Sequence, residues 1–344
     1  MTQEQLPLLP ETRHLFARPD RVLKHRHEDS RYADLWVLTS IFNPIRFRSR
    51  WKLYEDWIKR VQESGAKSAV VEIAFGDREH VLKDLKYQPD VLVELVTRDE
   101  LWLKENALNV LTHHIPTNAQ YVFFCDADFR QIRDDWANEI VQLLQHYEVI
   151  QTWTEMVDLD QNYEECGRVR SFMSNWKAGT ITKGGDYYAP AGKRGYPGAP
   201  GLGNAWRREA LDAVGGLIDW AIVGACDSYM AWGLIGNLDW ALRKDFDKGY
   251  TEPMREWQRR AQVHIRKNIG CMQGMAAHFF HGPKAARGYA TRERILAKTQ
   301  FNPAVHLKKD SQGLYQLERS APNYEELRDL LRGYFRQRQE DLYG

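Results

Sequence analysis

Tyr121-Val-Phe-Phe-Cys-Asp-Ala-Asp-Phe129 is the stretch that decides the fold, because an apolar run leads directly into two carboxylates. A short run rich in aromatic and β-branched residues predicts a strand covered on both faces of its sheet. In open α/β sheets, ligands collect where such strands end. Asp126 and Asp128 are therefore predicted at the mouth of a crevice. Their hard oxygen atoms suit Mg²⁺ or Mn²⁺ and, through the metal, a diphosphate; a metal-free surface turn is the alternative.

The segments around this strand alternate between strand and helix. Apolar runs predict strands over residues 35–42, 68–75, 91–96 and 149–154. Patterns with helical period predict helices over residues 48–64, 101–113, 134–147, 205–214 and 227–234, with Gly65 as the C-cap of the first. This alternation predicts an α/β fold with a mainly parallel sheet and helices on both faces.

Residues 158–203 differ from the rest because glycine and proline recur throughout them. The segment is too long and too rich in glycine for an ordinary connection. We expect a lid or binding loop that orders over a ligand, with a disordered insertion as the alternative.

The composition is that of an ordinary globular protein of 344 residues, with 43% hydrophobic and 28% charged residues. No apolar run reaches the roughly 20 residues of a membrane helix, and the N-terminus has no apolar signal segment. We therefore expect a soluble, cytoplasmic protein. The four cysteines show no C-x-x-C spacing, which predicts reduced thiols rather than a zinc site or disulfides.

The net charge of +1 hides an asymmetry between the two ends of the chain. Residues 253–344 contain 17 Lys and Arg against 9 Asp and Glu, a surplus of 17 − 9 = 8 positive charges. This basic end predicts either a surface for phosphate-bearing partners or a solvated helical face.

Asp227 follows Gly224 at the start of a predicted helix. Asp is a favoured N-cap residue, and capping is one interpretation. The other is a general base, which accepts the proton of an attacking hydroxyl.

A third motif is His278-Phe-Phe-His-Gly-Pro-Lys-Ala-Ala-Arg287. A neutral imidazole is a competent Mn²⁺ ligand, so His281 or His278 can complete a site built from Asp oxygens. Lys284 and Arg287 can neutralise a diphosphate. Histidines that only form hydrogen bonds in the core are the alternative.

Several nucleotide-binding classes are excluded by missing glycine motifs. The segment after the first strand reads Thr39-Ser-Ile-Phe-Asn-Pro44, without the Gly-x-Gly-x-x-Gly of a dehydrogenase, and no Walker motif occurs. A nucleotidyltransferase would need a glycine-rich phosphate loop near its N-terminus, and none is present.

The order of these motifs resembles that of GT-A-fold glycosyltransferases over residues 35–289. The resemblance is greatest to the inverting β-1,4-galactosyltransferase and polypeptide N-acetylgalactosaminyltransferase type. Those families have an aromatic-Gly-Gly-Glu-Asp motif, whereas this chain has Val223-Gly-Ala-Cys-Asp227. Cys226 thus stands in place of the acidic residue that precedes the base.

The resemblance implies a UDP-sugar donor, Mn²⁺ or Mg²⁺ as cofactor, and transfer with inversion to an acceptor hydroxyl. It implies Asp227 as the catalytic base, Asp126 and Asp128 as metal and diphosphate ligands, and His281, with His278 as runner-up, as the late metal ligand. Lys284 and Arg287 would meet the diphosphate. The remaining implied contacts are Thr39 and Glu72 to the nucleoside, Lys104, Asn106 and Asn109 to the uridine, and Gly203 and Asn204 to the donor sugar.

We expect an N-terminal arm (residues 1–34), a GT-A domain (35–289) with its nucleotide half before about residue 130, and a basic helical extension (290–344). Pieces of the extension, Gly313-Leu-Tyr-Gln-Leu317 and Tyr334-Phe-Arg-Gln-Arg338, resemble the tails of phage-encoded glycosyltransferase-like proteins. The acceptor is therefore left open between a glycan, lipid or protein and a hydroxylated base of phage DNA. A non-catalytic carbohydrate- or nucleic-acid-binding protein is the alternative from another class, and the oligomeric state is open.

Overall fold

The computed structural model describes residues 35–183, 197–289 and 291–341. Its strands are, in chain order, β1 (Leu35–Phe42), β2 (Lys67–Phe75), β3 (Val91–Thr97), β4 (Tyr121–Cys125), β5 (Phe129–Gln131), β6 (Val149–Gln151), β7 (Glu155–Leu159), β8 (Glu165–Arg170), β9 (Gly203–Arg207), β10 (Ile269–Cys271), β11 (Met275–His278), β12 (Leu307–Lys309) and β13 (Tyr315–Leu317). Its α-helices are α1 (Arg48–Ser64), α2 (Lys104–Thr112), α3 (Trp136–Leu144), α4 (Phe172–Lys177), α5 (Arg208–Val214), α6 (Cys226–Leu234), α7 (Lys248–His264), α8 (Glu293–Lys298), α9 (Pro303–His306) and α10 (Tyr324–Arg336).

The central sheet has seven strands in the order β10-β6-β9-β4-β1-β2-β3. Strands β4, β1, β2 and β3 run parallel, and β10 runs parallel to β6. Strand β9 lies between β4 and β6 and is antiparallel to both. The predicted α/β fold with a mainly parallel central sheet is thus confirmed.

Both faces of the sheet are covered, as the near-continuous apolar strands predict. In β1, Trp36 and Leu38 face one core cluster, while Leu35 and Val37 face the other. Helices α1 and α3 cover the second cluster, and α2, α5, α6, α7 and α10 cover the first. The C-terminal residues belong to this same core, since Leu331 of α10 is fully buried in it.

A smaller sheet lies beyond the carboxyl end of β4, in the order β5-β11-β7-β8. Strand β5 begins one residue after Asp128 and is antiparallel to β11, which is parallel to β7. The chain therefore carries the Asp-x-Asp turn directly from the large sheet into the small one.

Helix α1 matches its predicted bounds, and Gly65 at its C-cap has the left-handed φ of 80° that favours glycine. The prediction of helix from residue 205 is wrong, because Ala205 and Trp206 lie on β9 and α5 begins at Arg208. These two side chains enter opposite core clusters. Pairing with β4 and β6 in the sheet centre overrides the local helical pattern.

The glycine-rich segment is partly regular. Residues 158–183 contribute to β7 and β8 and contain the whole of α4, which corrects the prediction of one continuous loop. Residues 184–196 of the predicted lid and the predicted arm, 1–34, lie outside the described residues. Among the helices in the described ranges, none combines the length and apolar character needed to cross a membrane.

Candidate active site

The two carboxylates of the Asp-x-Asp turn have different partners. Asp126 forms an ion pair with Lys104, the first residue of α2. Asp128 faces the small sheet, where its Oδ2 lies 3.0 Å from Nδ1 of His281. The turn itself is fixed by the Asp126 N–H, which donates to the carbonyl of Leu202 at 3.2 Å. The carboxyl end of β4 thus presents one carboxylate to a lysine and the other to a pair of histidines.

Asp128, His278 and His281 bring three potential metal-ligand atoms within 4.8 Å of one another. The Oδ1 atom of Asp128 and the Nε2 atom of His278 are buried and have no hydrogen-bond partner. Buried polar atoms without partners are rare and carry a free-energy penalty. A carboxylate and two imidazoles also match the ligands of Mn²⁺ and related cations. The residues present therefore fit a divalent metal ion.

Asp158 supports this triad from β7. Its Oδ1 lies 2.8 Å from Nδ1 of His278, and its Oδ2 accepts a hydrogen bond from Nζ of Lys284 at 2.6 Å. In metal sites, a carboxylate at one ring nitrogen of a histidine orients the other nitrogen toward the metal. Lys284 pairs with Asp158, and its contact with a diphosphate stays a prediction.

The protonation states also suit a metal. Burial, followed by the nearby charge of Arg287, lowers the pKa of His281 to about 4, so the imidazole is neutral near pH 7. Burial by itself raises the pKa of Asp128, but His281 outweighs it and holds that pKa below its usual range. Asp128 and His281 share one proton across their contact. Because burial disfavours the charged imidazolium, His281 is the group that loses this proton. A neutral histidine and an ionised carboxylate are the forms that bind metal.

Asp227 lines a cleft on the other side of this turn. The cleft is bounded in part by Lys104, Glu105, Asp126, Gly203, Asn204 and Asp227. Asp227 is the second residue of α6, not its cap; the N-cap is Ala225, and Oδ1 of Asp227 accepts from the N–H of Ser228 at 2.9 Å. A Cβ atom on Gly201 would overlap the Asp227 carboxylate, so the loop before β9 closes directly onto this side chain.

Opposite charges converge in the cleft at the start of α2. Burial by itself lowers the pKa of Lys104, but Asp126, Glu105 and Asp227 outweigh it and hold that pKa above its usual range. Burial raises the pKa of the neighbouring Glu105 to about 7, Lys104 opposes this rise, and Asp227 adds to it. Lys104, predicted to approach the uridine, thus lies among three carboxylates.

The residues expected at the nucleoside, Thr39 and Glu72, are both buried. Thr39 is buried in β1. Glu72 on β2 accepts hydrogen bonds from the N–H groups of Val81 and Leu82 at 2.9 to 3.0 Å, which holds the turn before the third strand. These contacts favour a structural role for Glu72.

Asn106 and Asn109 lie where α2 packs on the C-terminal residues. Asn109 forms two hydrogen bonds of 2.9 Å with the backbone of Leu217, one as donor and one as acceptor. The Nδ2 atoms of Asn106 and Asn109 each donate to Asp219. Asn106 Oδ1 accepts from the N–H of Tyr315 at 2.9 Å. Their side chains therefore hold elements together, and a contact with uridine stays a prediction.

Three other predicted residues, Gly203, Asn204 and Arg287, lie near the cleft or the histidines. Gly203 and Asn204 begin β9 and line the cleft, and Oδ1 of Asn204 is buried without a partner. Arg287 is buried beside the histidines and donates to the carbonyl of Gly282 at 2.9 Å. Cys226, where the resemblance expects an acidic residue, is buried next to Glu105.

Asp158 and Glu105 were missed by sequence reasoning. Asp158 had a signal, since it is a carboxylate inside the apolar run Met156-Val-Asp-Leu159. Glu105 had none, because its neighbours Asp227 and Cys226 lie more than a hundred residues away in the chain.

Several basic side chains of the C-terminal end form ion pairs on the surface. Lys298, Lys308, Arg328 and Arg336 contact Glu326, Glu318, Asp329 and Glu100 respectively. Such pairs fit the solvated helical face that was one of the two interpretations. The resemblance to phage tails and a DNA acceptor stay predictions.

No protein-family model and no curated protein matches this chain. Among solved structures, it is similar to a Drosophila β1,4-galactosyltransferase 7 determined with manganese, UDP-Gal and xylobiose, at 13% identity and a TM-score of 0.31. The match covers 61% of this chain and 62% of that one, so this chain spans less than two thirds of that galactosyltransferase.

Two further similar structures come from bacteria. The 4-diphosphocytidyl-2C-methyl-D-erythritol synthase of Anaerococcus prevotii matches at 12% identity, 71% and 88% coverage and a TM-score of 0.35. S. aureus TarS matches at 12% identity, 68% and 73% coverage and a TM-score of 0.32. Similarities with TM-scores this low do not define the function of the chain.

Proposed function

We propose that this chain is a metal-dependent glycosyltransferase that uses a nucleoside-diphosphate sugar, with UDP as the nucleotide. The observation that carries the proposal is the pair of buried, unpartnered ligand atoms, Asp128 Oδ1 and His278 Nε2, beside His281 at the end of β4. This edge of an α/β sheet is where ligands bind. A cleft with a second carboxylate, Asp227, opens next to it.

Asp128, His278 and His281 would hold the metal, and Asp126, two residues before Asp128 on the same turn, would join them or face the diphosphate. A bound Mn²⁺ or Mg²⁺ supplies positive charge that stabilises the departing diphosphate. Lys104 lies beside Asp126 and Arg287 beside His281, so each adds a fixed cation near the leaving group. Preorganised charges of this kind lower the barrier because they need no reorganisation during the reaction.

Asp227 would be the general base. It accepts the proton of the acceptor hydroxyl while that oxygen bonds to the anomeric carbon and the bond from this carbon to the diphosphate oxygen breaks. Attack from the face opposite the leaving group inverts the anomeric configuration. Lys104 and Glu105 line the same cleft, and the loop at Gly201 covers the Asp227 carboxylate.

We propose residues 35–289 as the catalytic domain and the following residues as an extension that packs on its core. Gly203 and Asn204 line the cleft and would contact the donor sugar there; the unpartnered Oδ1 of Asn204 can accept a hydrogen bond from a sugar hydroxyl.

The test is calorimetry with UDP and a panel of other nucleoside diphosphates, each with and without Mn²⁺. We expect tight binding of UDP only with Mn²⁺, and its loss in Asp128→Asn. Asp227→Asn should keep UDP affinity and lose sugar transfer or donor hydrolysis. Asp212→Asn on the exposed face of α5 is the matched control and should change neither.

Metal-independent binding, or equal affinity in Asp128→Asn, would contradict the metal assignment. Metal-dependent UDP binding with full turnover in Asp227→Asn would remove Asp227 as the base. If no nucleotide binds under any condition, the chain is better described as a non-catalytic binding protein.

A further inference from the structure

Arg292, between the histidine loop and α8, is held rigidly by aromatic rings. Its guanidinium lies 5.0 Å from the ring centre of Tyr289 and 5.8 Å from that of Trp102. Its Nε is buried without a hydrogen-bond partner, and Nη1 is 3.4 Å from the hydroxyl of Tyr334. Among the described residues, no carboxylate lies within ion-pair distance of Arg292. The guanidinium is thus positioned without a carboxylate in direct contact, and Asp227 and Glu293 act on it only through space.

Arg292 lies close to another arginine, since Arg338 also packs on the ring of Trp102. Arg338 and Arg50 share one buried carboxylate, Glu340, at 2.7 Å each. The nearby Arg287 donates to a backbone carbonyl rather than to an acid. Glu340 is therefore occupied by Arg50 and Arg338. The buried N–H of Arg292 Nε has no acceptor, which is unfavourable, and a bound anion that accepts from the guanidinium removes that penalty.

The location of Arg292 relative to α6 indicates which substrate brings this anion. A Cβ atom on Gly224 would lie 2.9 Å from Nη1 of Arg292, so the guanidinium packs on the backbone that leads into α6. Asp227 lies three residues further along that backbone. Arg287, in contrast, acts electrostatically on His281 of the metal site. Arg292 is therefore on the side of the base, and Arg287 is on the side of the leaving group.

We propose that Arg292 binds an oxyanion, a phosphate or carboxylate group, on the acceptor substrate, and thereby places the acceptor hydroxyl at Asp227. The planar guanidinium forms two parallel hydrogen bonds to such a group. Its orientation is set in advance by Trp102 and Tyr289, which reduces the entropy lost on binding. This inference rests on the proposed role of Asp227 and adds that the acceptor is negatively charged.

The experiment is calorimetric titration of inorganic phosphate, and separately of acetate, into the full chain saturated with UDP and Mn²⁺. Because UDP fills the donor site, the remaining anion site is measured alone. We expect millimolar or tighter binding of at least one of the two anions, and the stronger of them identifies the acceptor group. Arg292→Gln should weaken that binding at least tenfold while leaving UDP affinity unchanged. Arg292→Lys keeps the charge without the fork and should give an intermediate affinity.

Arg294→Gln is the matched control, since Arg294 is an exposed arginine two residues further along the chain. It should bind the anion as the wild type does. Loss of UDP affinity in Arg292→Gln would place this residue at the donor diphosphate and overturn the inference. Equal anion binding in Arg292→Gln and wild type would overturn it as well. If UDP does not bind to the wild type, the proposed function fails, and titration of the nucleotide-free chain still decides whether Arg292 holds an oxyanion.

Discussion

The Nδ1 atom of His278 lies 2.8 Å from Oδ1 of Asp158, and the two residues are paired in register on the parallel strands β11 and β7. Asp158 is also bound by Lys284 and is ionised, because burial raises its pKa but His278 and Lys284 together hold it below the usual range. An ionised acceptor at Nδ1 requires that this nitrogen carry the proton. The lone pair of Nε2 is then free for a metal.

Asp158→Asn should weaken Mn²⁺ binding about 10- to 100-fold, the usual effect of losing a carboxylate behind a ligating histidine. The amide keeps the size of the side chain but no longer fixes the proton of His278. Calorimetric titration of Mn²⁺ into the wild type and the variant measures the change.

Glu155→Gln is the control for this change, because Glu155 lies on the same strand and pairs with Arg168 on the surface. It should bind Mn²⁺ with wild-type affinity. If Asp158→Asn binds Mn²⁺ equally well, His278 is not a metal ligand.

Gly201→Ala should abolish sugar transfer and leave the metal site intact. The new methyl group would overlap the carboxylate of Asp227, so either the loop or the base must move. The measurement is turnover together with the dissociation constant for Mn²⁺. The control is Gly333→Ala, where the added methyl group on α10 meets no atom within 4 Å and should stabilise the helix by about 1 kcal/mol. Wild-type turnover in Gly201→Ala would show that Asp227 needs no fixed position.

Much of the fold was predictable because its strands are buried on both faces. Continuous apolar runs such as residues 35–42 stand out from any surface segment. The Asp-x-Asp and the histidine motif were also recognisable, because their residue types are suited to metal chemistry. The structure places Asp128, His278 and His281 together, as the motif order predicted.

What could not be predicted depends on contacts between distant residues. Residues 203–207 have no strand pattern of their own. They form a strand because they pair with β4 on one side and with β6 on the other. Lys104 pairs with Asp126 only because α2 begins beside the end of β4. Asn106 and Asn109 carry amides that fit either a uridine or a helix contact, and their sequence does not distinguish the two.

Glu105 predicts a loss of stability as the pH rises. Burial raises its pKa from 4.5 to about 7, so the folded protein keeps the proton where the unfolded chain has lost it. The stability that this protonation contributes is complete below pH 4.5 and is lost as the pH rises through 7. The difference between the folded and unfolded pKa values corresponds to about 3 kcal/mol of unfolding free energy. Glu105→Gln is neutral throughout and should lack this decline. Urea unfolding of both proteins between pH 4.5 and 8 measures this decline. Glu79→Gln, at an exposed site, is the control and should follow the wild type. If the stability of Glu105→Gln and of the wild type changes with pH in parallel, the pKa of Glu105 is not raised.

Glu340 predicts the opposite dependence at acid pH. Burial by itself raises its pKa, but Arg50 and then Arg338 outweigh burial and lower it from 4.5 to about 2. The unfolded chain therefore takes up the proton first, and stability that is complete above pH 4.5 is lost as the pH falls through 2, by about 3 kcal/mol. Glu340→Gln should be less stable than the wild type at pH 7 by about 3 to 5 kcal/mol, because it leaves two guanidiniums without their carboxylate. Its stability should also fall less between pH 4.5 and 2, which urea unfolding measures directly.

The control is Glu325→Gln, which is exposed at the start of α10 and should show the same dependence of stability on pH as the wild type. A Glu340→Gln curve parallel to that of the wild type over this range would show that Glu340 is not ionised by its arginine partners.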